Sequence, residues 1–241
     1  MCNDYNNWNM WYEKILDDFN FSRCDDEYVA SFLNDKISEL PHFSIEDVDV
    51  KDKSIVFGAG PSIKKHITYI KDNFSLNNYN LIAADGTTEA LMEEGIIPDI
   101  IVTDLDGKID KIKQANKKGS ILYVHAHGDN LDKIKMYVDE LENIIPTTQA
   151  KKHGYLKNYG GFTDGDRALH IAVYGLKSTE VIMAGMDFGN VVTRYSRPNI
   201  KGDTGFADDF KRLKLEYAEI LTNSLIENNS NVNFVNLVDI V

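Results

Sequence analysis

Two short apolar runs, each closing on a carboxylate, limit the possible folds of this chain more than any other feature. Leu81-Ile82-Ala83-Ala84 ends in Asp85-Gly86-Thr87, and Ile100-Ile101-Val102 ends in Thr103-Asp104-Leu105-Asp106-Gly107. Between them, Leu91 and Met92 sit in a helical segment that stops at Gly95, and Pro98-Asp99 precede the second run. Strand, helix, strand in that order is a right-handed crossover unit. Its strands are parallel, so both C-terminal ends lie on one edge of a sheet. Open α/β sheets bind ligands at that edge. Asp85, Asp104 and Asp106 are therefore expected at one crevice.

The same grammar runs through the rest of the chain. Ser54 to Phe57 reads as a buried strand, Gly58-Ala59-Gly60-Pro61-Ser62 as a glycine turn, and Ile63, Ile67, Ile70 and Phe74 as one helix face. A Lys-rich helix ends at Gly119, and Ile121 to Val124 is a strand closing on His125-Ala126-His127-Gly128-Asp129. Leu131, Ile134, Val138 and Leu141 give the next helix its buried face, and Ile144-Ile145 a short strand before Thr147, Thr148 and Gln149. Tyr159 to Arg167 leads into a helix with Ala168, Ile171 and Ala172 inward, and Val181 to Ala184 is a strand closing on Gly185-Met186-Asp187-Phe188-Gly189. Residues 190–205 read as a loop, of a length often used for lids. A long helix follows with Phe210, Leu213, Tyr217, Ile220 and Leu221 on one side, then a last strand from Val232 to Val238. The alternation predicts an α/β three-layer sandwich with a largely parallel, Rossmann-like sheet over residues 51–241. Residues 1–50 read as a small helical N-terminal cap. Trp11, Ile15 and Phe19 mark one helix, and Tyr28, Phe32, Ile37 and Leu40 a second that ends before Pro41. Trp8 and Trp11 are expected as core anchors, and nothing in this segment looks catalytic.

The 241 residues, 43% hydrophobic and 27% charged, suit one large globular domain or one domain with an appendage. A net charge of −12 argues against a nucleic-acid-binding surface, which needs a clustered basic face. It leaves room for ATP. Cys2 and Cys24 form no Cys-x-x-Cys pair and read as reduced thiols. The first twenty residues lack the apolar core of a signal peptide, and no run has the length of a membrane span, so a cytoplasmic location is expected.

Asp104 and Asp106 are two apart, so in extended backbone both would project from one face toward one cation. Mg²⁺ prefers hard oxygen ligands, commonly one or two carboxylates plus substrate phosphates. A single strand-end carboxylate is an ordinary turn residue; three at adjacent strand ends point to a metal. Asp164 and Asp166 open a helix, where they serve either as cap and first-turn residues or as further ligands. His125 and His127 either meet a phosphate or cap their strand. Gly58, Gly60 and Ser62, with Pro61 at the first helical position, form either a phosphate cradle or a tight turn. The full dinucleotide fingerprint would need another glycine at Ile63. Arg194, Arg197 and Lys201 either close on a phosphate or stay solvated. There is no P-loop, no protein-kinase signature set, no Gly-x-Ser-x-Gly elbow and no zinc-ligand cluster.

Asp85-Gly86-Thr87, Pro98-Asp99, Thr103-Asp104-Leu105-Asp106-Gly107 and Thr163-Asp164 resemble the motifs of the thiamin pyrophosphokinase superfamily, with Thr103 and Gly107 replacing a glycine and a serine. Gly58-Ala59-Gly60-Pro61-Ser62 and Gly185-Met186-Asp187-Phe188-Gly189 are similar to the MptE-like family. Its archaeal members are 6-hydroxymethyl-7,8-dihydropterin diphosphokinases of the tetrahydromethanopterin pathway. The resemblance implies a thiamin-pyrophosphokinase-like catalytic domain and Mg²⁺ at Asp85, Asp104, Asp106 and Asp164. It implies ATP as co-substrate and transfer of its diphosphate to the pterin hydroxymethyl group. It also puts Gly58, Gly60, Pro61, Ser62, Gly86, Thr87, His127, Gly161, Thr163 and Asp187 at the nucleotide, and Asp187, Phe188 and Tyr159 near the pterin. A homo-oligomer is compatible with it. The alternatives are a nucleotide-sugar glycosyltransferase, whose metal Asp-x-Asp can hold, and a non-catalytic dinucleotide-binding module with Asp85 on the ribose.

Overall fold

A computed structural model describes residues 5–41 and 43–241; Cys2 lies outside them. Seven strands form one sheet: β1 (Lys53–Phe57), β2 (Asn80–Ala84), β3 (Ile100–Thr103), β4 (Ile121–Ala126), β5 (Ile144–Thr148), β6 (Glu180–Ala184) and, numbered after a separate hairpin, β9 (Asn233–Asn236). Their order is β5-β4-β3-β2-β1-β6-β9, and every neighbouring pair is parallel. The expected α/β class and parallel sheet are therefore observed. The chain steps outward from β1 to β5, then returns to the far side of β1 with β6. The loops after β1 and β6 thus leave in opposite directions, opening a crevice where such sheets bind ligands.

Side chains alternate between two cores, as strand geometry requires. Ile55, Phe57, Leu81, Ala83, Ile101, Leu122 and Val124 face helices α2 (Arg23–Glu39), α3 (Ile63–Asn73), α4 (Thr87–Glu93), α5 (Ile109–Asn116) and α6 (Leu131–Tyr137). Val56, Ile82, Val102 and Tyr123 face α7 (Asp164–His170) and the C-terminal half of α8 (Asp209–Asn228). A third cluster joins α1 (Tyr5–Phe19) to α8 through Trp8, Tyr12, Ile15, Phe19, Phe162 and Tyr217. Trp8 is buried as expected, and Trp11 packs half-buried, edge-on to Tyr217.

Several local expectations are corrected. Helix α2 buries Val29, Ala30, Leu33 and Ile37, while Tyr28 is 59% exposed. Helix α2 packs on β4 and β5 through Val29 and Ala30 and so flanks the sheet. In α8, Tyr217, Ala218, Leu221 and Leu225 point inward, and Phe210 and Ile220 are exposed. Residues 190–205 are built around an antiparallel hairpin, β7 (Val191–Thr193) with β8 (Thr204–Phe206). Helix α3 starts at Ile63, two residues after Pro61, and the last strand stops at Asn236, where a 3₁₀ turn begins. Among the described residues, no helix is long and apolar enough to cross a membrane.

Candidate active site

Asp85 extends the ladder by one residue beyond β2: its amide donates to Val102 O at 2.8 Å. Its carboxyl is 4% exposed, and Oδ2 accepts from Thr103 Oγ1 at 2.8 Å and from Gly107 N at 3.2 Å. Thr103 and Gly107, the two departures from the thiamin pyrophosphokinase pattern, thus both serve Asp85. A Cβ on Gly107 would overlap that carboxylate. Oδ1 of Asp85 is buried and finds no hydrogen-bond partner among the described residues.

The expected extended geometry of Asp104 and Asp106 is corrected. Strand β3 ends at Thr103, and Leu105 takes a left-handed φ of +66°. Leu105 N donates to Thr103 Oγ1 at 2.7 Å, and Asp106 N to Asp104 Oδ1 at 3.1 Å. A turn closed by side-chain oxygens, not a strand pleat, brings the two carboxylates together. One oxygen from each of Asp85, Asp104 and Asp106 then lies within 4.8 Å of the others.

Crowding like charges in a dry site raises pKa values. Burial, followed by the charges of Asp104 and Asp106, pushes Asp85 up to about 8. Burial and Asp104 also raise Asp106. For Asp104, burial acts upward but is outweighed by the hydrogen bond and charge of His127, whose Nε2 lies 3.2 Å from Oδ2; the carboxyl is held well below its usual range. Three oxygen donors, one of them orphaned and buried, fit a hard divalent cation.

Helix α7 brings a fourth carboxylate. Its first turn is secured by Asp166, which accepts from Phe162 N (2.6 Å), Thr163 N (2.7 Å) and Thr163 Oγ1 (2.6 Å); Asp166 is a capping residue. Asp164 is outside the group of three but within its field. Burial, then Asp104 and Asp85, raise its pKa well above the usual range. Arg167 Nη1 stands 3.8 Å from Asp164 Oδ1, and Arg167 Nη2 donates to Gln149 Oε1 at 2.9 Å. Across a cleft of about 220 Å³, α8 contributes Lys211 and Lys214. Burial, then the neighbouring Lys214, lower the pKa of Lys211. Neither lysine stood out in the sequence. The available signal was the spacing of Lys211, Lys214 and Ala218, which puts all three on one helix stripe, and all three line the cleft.

The glycine turn lines the cleft, and both of its glycine amides are engaged. Gly58 N and Gly60 N donate to Ala184 O and Gly185 O, each at 2.8 Å. Ser62 gives its hydroxyl (2.8 Å) and amide (3.4 Å) to Asp187 Oδ2, so a carboxylate of the chain itself sits at the start of α3. Of the two readings of this segment, these bonds describe the tight turn, and Asp187, which also lines the cleft, holds Ser62. Pro61, Gly86, His127, Thr163 and Phe188 line the cleft as well; Ser62, Thr87, Tyr159 and Gly161 are not on its wall. Thr87 is wholly buried, Tyr159 packs on Tyr123 in the sheet's second core, and Gly161, at φ +86°, packs against the Arg167 backbone. His125 is buried with Nδ1 3.1 Å from Thr147 Oγ1, and burial drives its pKa well below the usual value. Arg194 pairs with Glu93 at 2.7 Å and Arg197 with Asp208 at 2.5 Å, and neither lines the cleft, nor does Lys201. The cleft's cations come from helices rather than from the loop.

The family model described as "6-hydroxymethylpterin diphosphokinase MptE-like" matches residues 29–193. Curated proteins named 6-hydroxymethyl-7,8-dihydropterin pyrophosphokinase are similar over nearly the whole chain. The protein from Methanothermobacter thermautotrophicus is 50% identical (92% of this chain, 94% of that one), and the one from Methanocaldococcus jannaschii 45% (92% and 95%). The Pyrococcus furiosus protein is 37% identical (92% and 94%). Among solved structures, the MAf glycosyltransferase from Magnetospirillum magneticum AMB-1 superposes with a TM-score of 0.59 at 16% identity. The match covers 90% of this chain but only 36% of that one, and is a likeness of fold.

Proposed function

The chain belongs to the MptE-like family, and from that membership we propose that it is a diphosphokinase moving the terminal diphosphate of ATP onto 6-hydroxymethyl-7,8-dihydropterin, with release of AMP. Its place would be the assembly of a tetrahydromethanopterin-type cofactor. The observation that carries this reading is the meeting of Asp85, Asp104 and Asp106 within 4.8 Å of one another, with Lys211 and Lys214 lining the same cleft. The motif likeness to thiamin pyrophosphokinases supports a catalytic domain of the same kind.

Mg²⁺ would be held by Asp85, Asp104 and Asp106, with Asp164 close by, and would neutralise polyphosphate charge. The chain's own residues supply the rest. His127 keeps Asp104 ionised and fixed in direction. Lys211 and Lys214, which line the same cleft, would offset the negative charge of the ATP phosphates and of the departing AMP. Asp164, which lines the cleft beside the cluster, is the carboxylate assigned to receive the hydroxymethyl proton; burial, then Asp104 and Asp85, raise its affinity for one. The alcohol oxygen attacks the β-phosphorus in line, its bond to the α–β bridging oxygen breaks, and AMP departs. Positioning and charge neutralisation suffice, so no covalent enzyme intermediate is required. Phe188, which lines the cleft, would offer an apolar wall to the pterin ring; Tyr159 is not on that wall, and Asp187 is engaged by Ser62.

Incubation with ATP, Mg²⁺ and hydroxymethyldihydropterin, followed by ³¹P NMR, tests the reading. Equimolar AMP and pterin diphosphate are expected. ADP as product, no turnover, or turnover of nucleotide sugars instead would overturn it.

A further inference from the structure

The N-terminal segment, which shows no catalytic motif, reaches the acidic cluster through one buried carboxylate. Asp26, in the first turn of α2, is 2% exposed and fully engaged. Oδ1 accepts from Gly128 N at 2.8 Å. Oδ2 accepts from Tyr12 OH at 2.7 Å and from Gln149 Nε2 at 2.8 Å. Both arms end at the candidate site. Gly128 follows His127, the partner of Asp104 at 3.2 Å, in a loop also held by Asn130, which accepts from His127 N and donates to Asp104 O at 3.0 Å. Gln149, whose carbonyl takes the Trp8 indole N–H at 2.8 Å, holds Arg167 at 2.9 Å, and Arg167 stands beside Asp164. The loop sits close on α2 at position 128: a Cβ there would lie 3.0 Å from Asp25 Cβ, so that the loop or the helix would have to give by a few tenths of an ångström. Asp26 also lies upstream of the residues 29–193 that the family model matches.

We infer that Asp26 is a positioning residue for the diphosphate-transfer site, its two oxygens setting the direction of His127 toward Asp104 and of Arg167 toward Asp164. This rests on the function proposed above. Partners one shell out from a metal's ligands fix ligand orientation, and their loss typically costs 10–100-fold in metal affinity or activity.

The test combines two readouts that do not depend on turnover. One is the ring ¹⁵N resonances of His127 in metal-free, ¹⁵N-histidine-labelled protein; the other is binding of Mn²⁺ alone, followed by EPR. Asp26→Asn should shift the His127 resonances and weaken Mn²⁺ binding about 10-fold. Gly128→Ala, which wedges the loop from α2 and leaves the carboxylate intact, should do the same and covers the case in which Asp26→Asn does not fold. Tyr12→Phe removes one hydrogen bond from Asp26 but neither arm. It should lower Tm while leaving His127, Mn²⁺ affinity and kcat as they were, which separates positioning from stability. Unmoved His127 resonances or unchanged Mn²⁺ affinity in the first two variants would overturn the inference, as would Tyr12→Phe matching their losses. A wild type that binds Mn²⁺ but forms no AMP overturns the proposed function instead; one that binds no Mn²⁺ overturns both.

Discussion

Replacing Asp85 by Asn should stabilise the metal-free protein while destroying its activity. The Asn Oδ1 can still accept from Thr103 Oγ1 and Gly107 N, and the amide takes the place of an orphaned oxygen among carboxylates. The size follows from linkage. Asp85 has its pKa raised from 3.8 to about 8 in the folded state, so the native protein holds a proton that the unfolded chain has released. The associated stability is complete below about pH 4 and is lost as pH rises through about 8, at about 1.4 kcal/mol per unit. Between pH 6 and pH 8 the wild type should thus lose about 2–3 kcal/mol that the Asn variant keeps. Coulomb's law gives the same scale: two unit charges 4.8 Å apart repel by about 3.5 kcal/mol at an effective dielectric constant of about 20. For a chain of this size the gap corresponds to roughly 5–10 °C in Tm at pH 8. Thermal melts in EDTA at pH 6 and pH 8 read it directly. An Asn variant with the wild-type pH slope, or one less stable at both pH values, would refute the reasoning.

The apparent Mg²⁺ affinity of the wild type should rise with pH, close to tenfold per unit while one proton is displaced per ion, and level off near pH 8; calorimetric titrations from pH 6 to pH 9 check this. Asp104→Ala should abolish AMP formation, about 10³-fold or more, with the far-UV circular dichroism retained, because Asp104 is the carboxylate that stays ionised. Lys211→Ala should lower kcat/KM about 10–100-fold, or about 1.4–2.7 kcal/mol of transition-state stabilisation, and steady-state kinetics at saturating Mg²⁺ measure it.

The acidic edge was legible because strand ends are easily read: an apolar run that stops at Asp places that Asp at the sheet's C-terminal edge, and βαβ handedness does the rest. The turn that unites Asp104 and Asp106 was not legible. It depends on a leucine at positive φ, a conformation that composition does not announce. The roles of Thr103 and Gly107 were hidden for a related reason, since both act on Asp85 from about twenty residues away. Ser62 and Asp187 are 125 residues apart, and only the adjacency of β1 and β6 makes them partners. The lysines of α8 were missed because Phe210, Leu213 and Ile220 suggested a different buried stripe. On a long helix crossing the open end of a cleft, burial is set by the neighbours as well as by hydrophobicity. Asp26 gave no signal at all, because a lone acidic residue in a helix's first turn is the commonest of placements.

On this reading Asp85, Asp104 and Asp106 together hold a cation that grips a polyphosphate. A crystal of the protein grown with Mn²⁺ and a non-hydrolysable ATP analogue, measured at a wavelength where manganese scatters anomalously, tests it most directly. An anomalous peak bonded to oxygens of these three carboxylates and of the phosphates is expected. A phosphate chain bound without metal there, or a manganese site on another face, would contradict it.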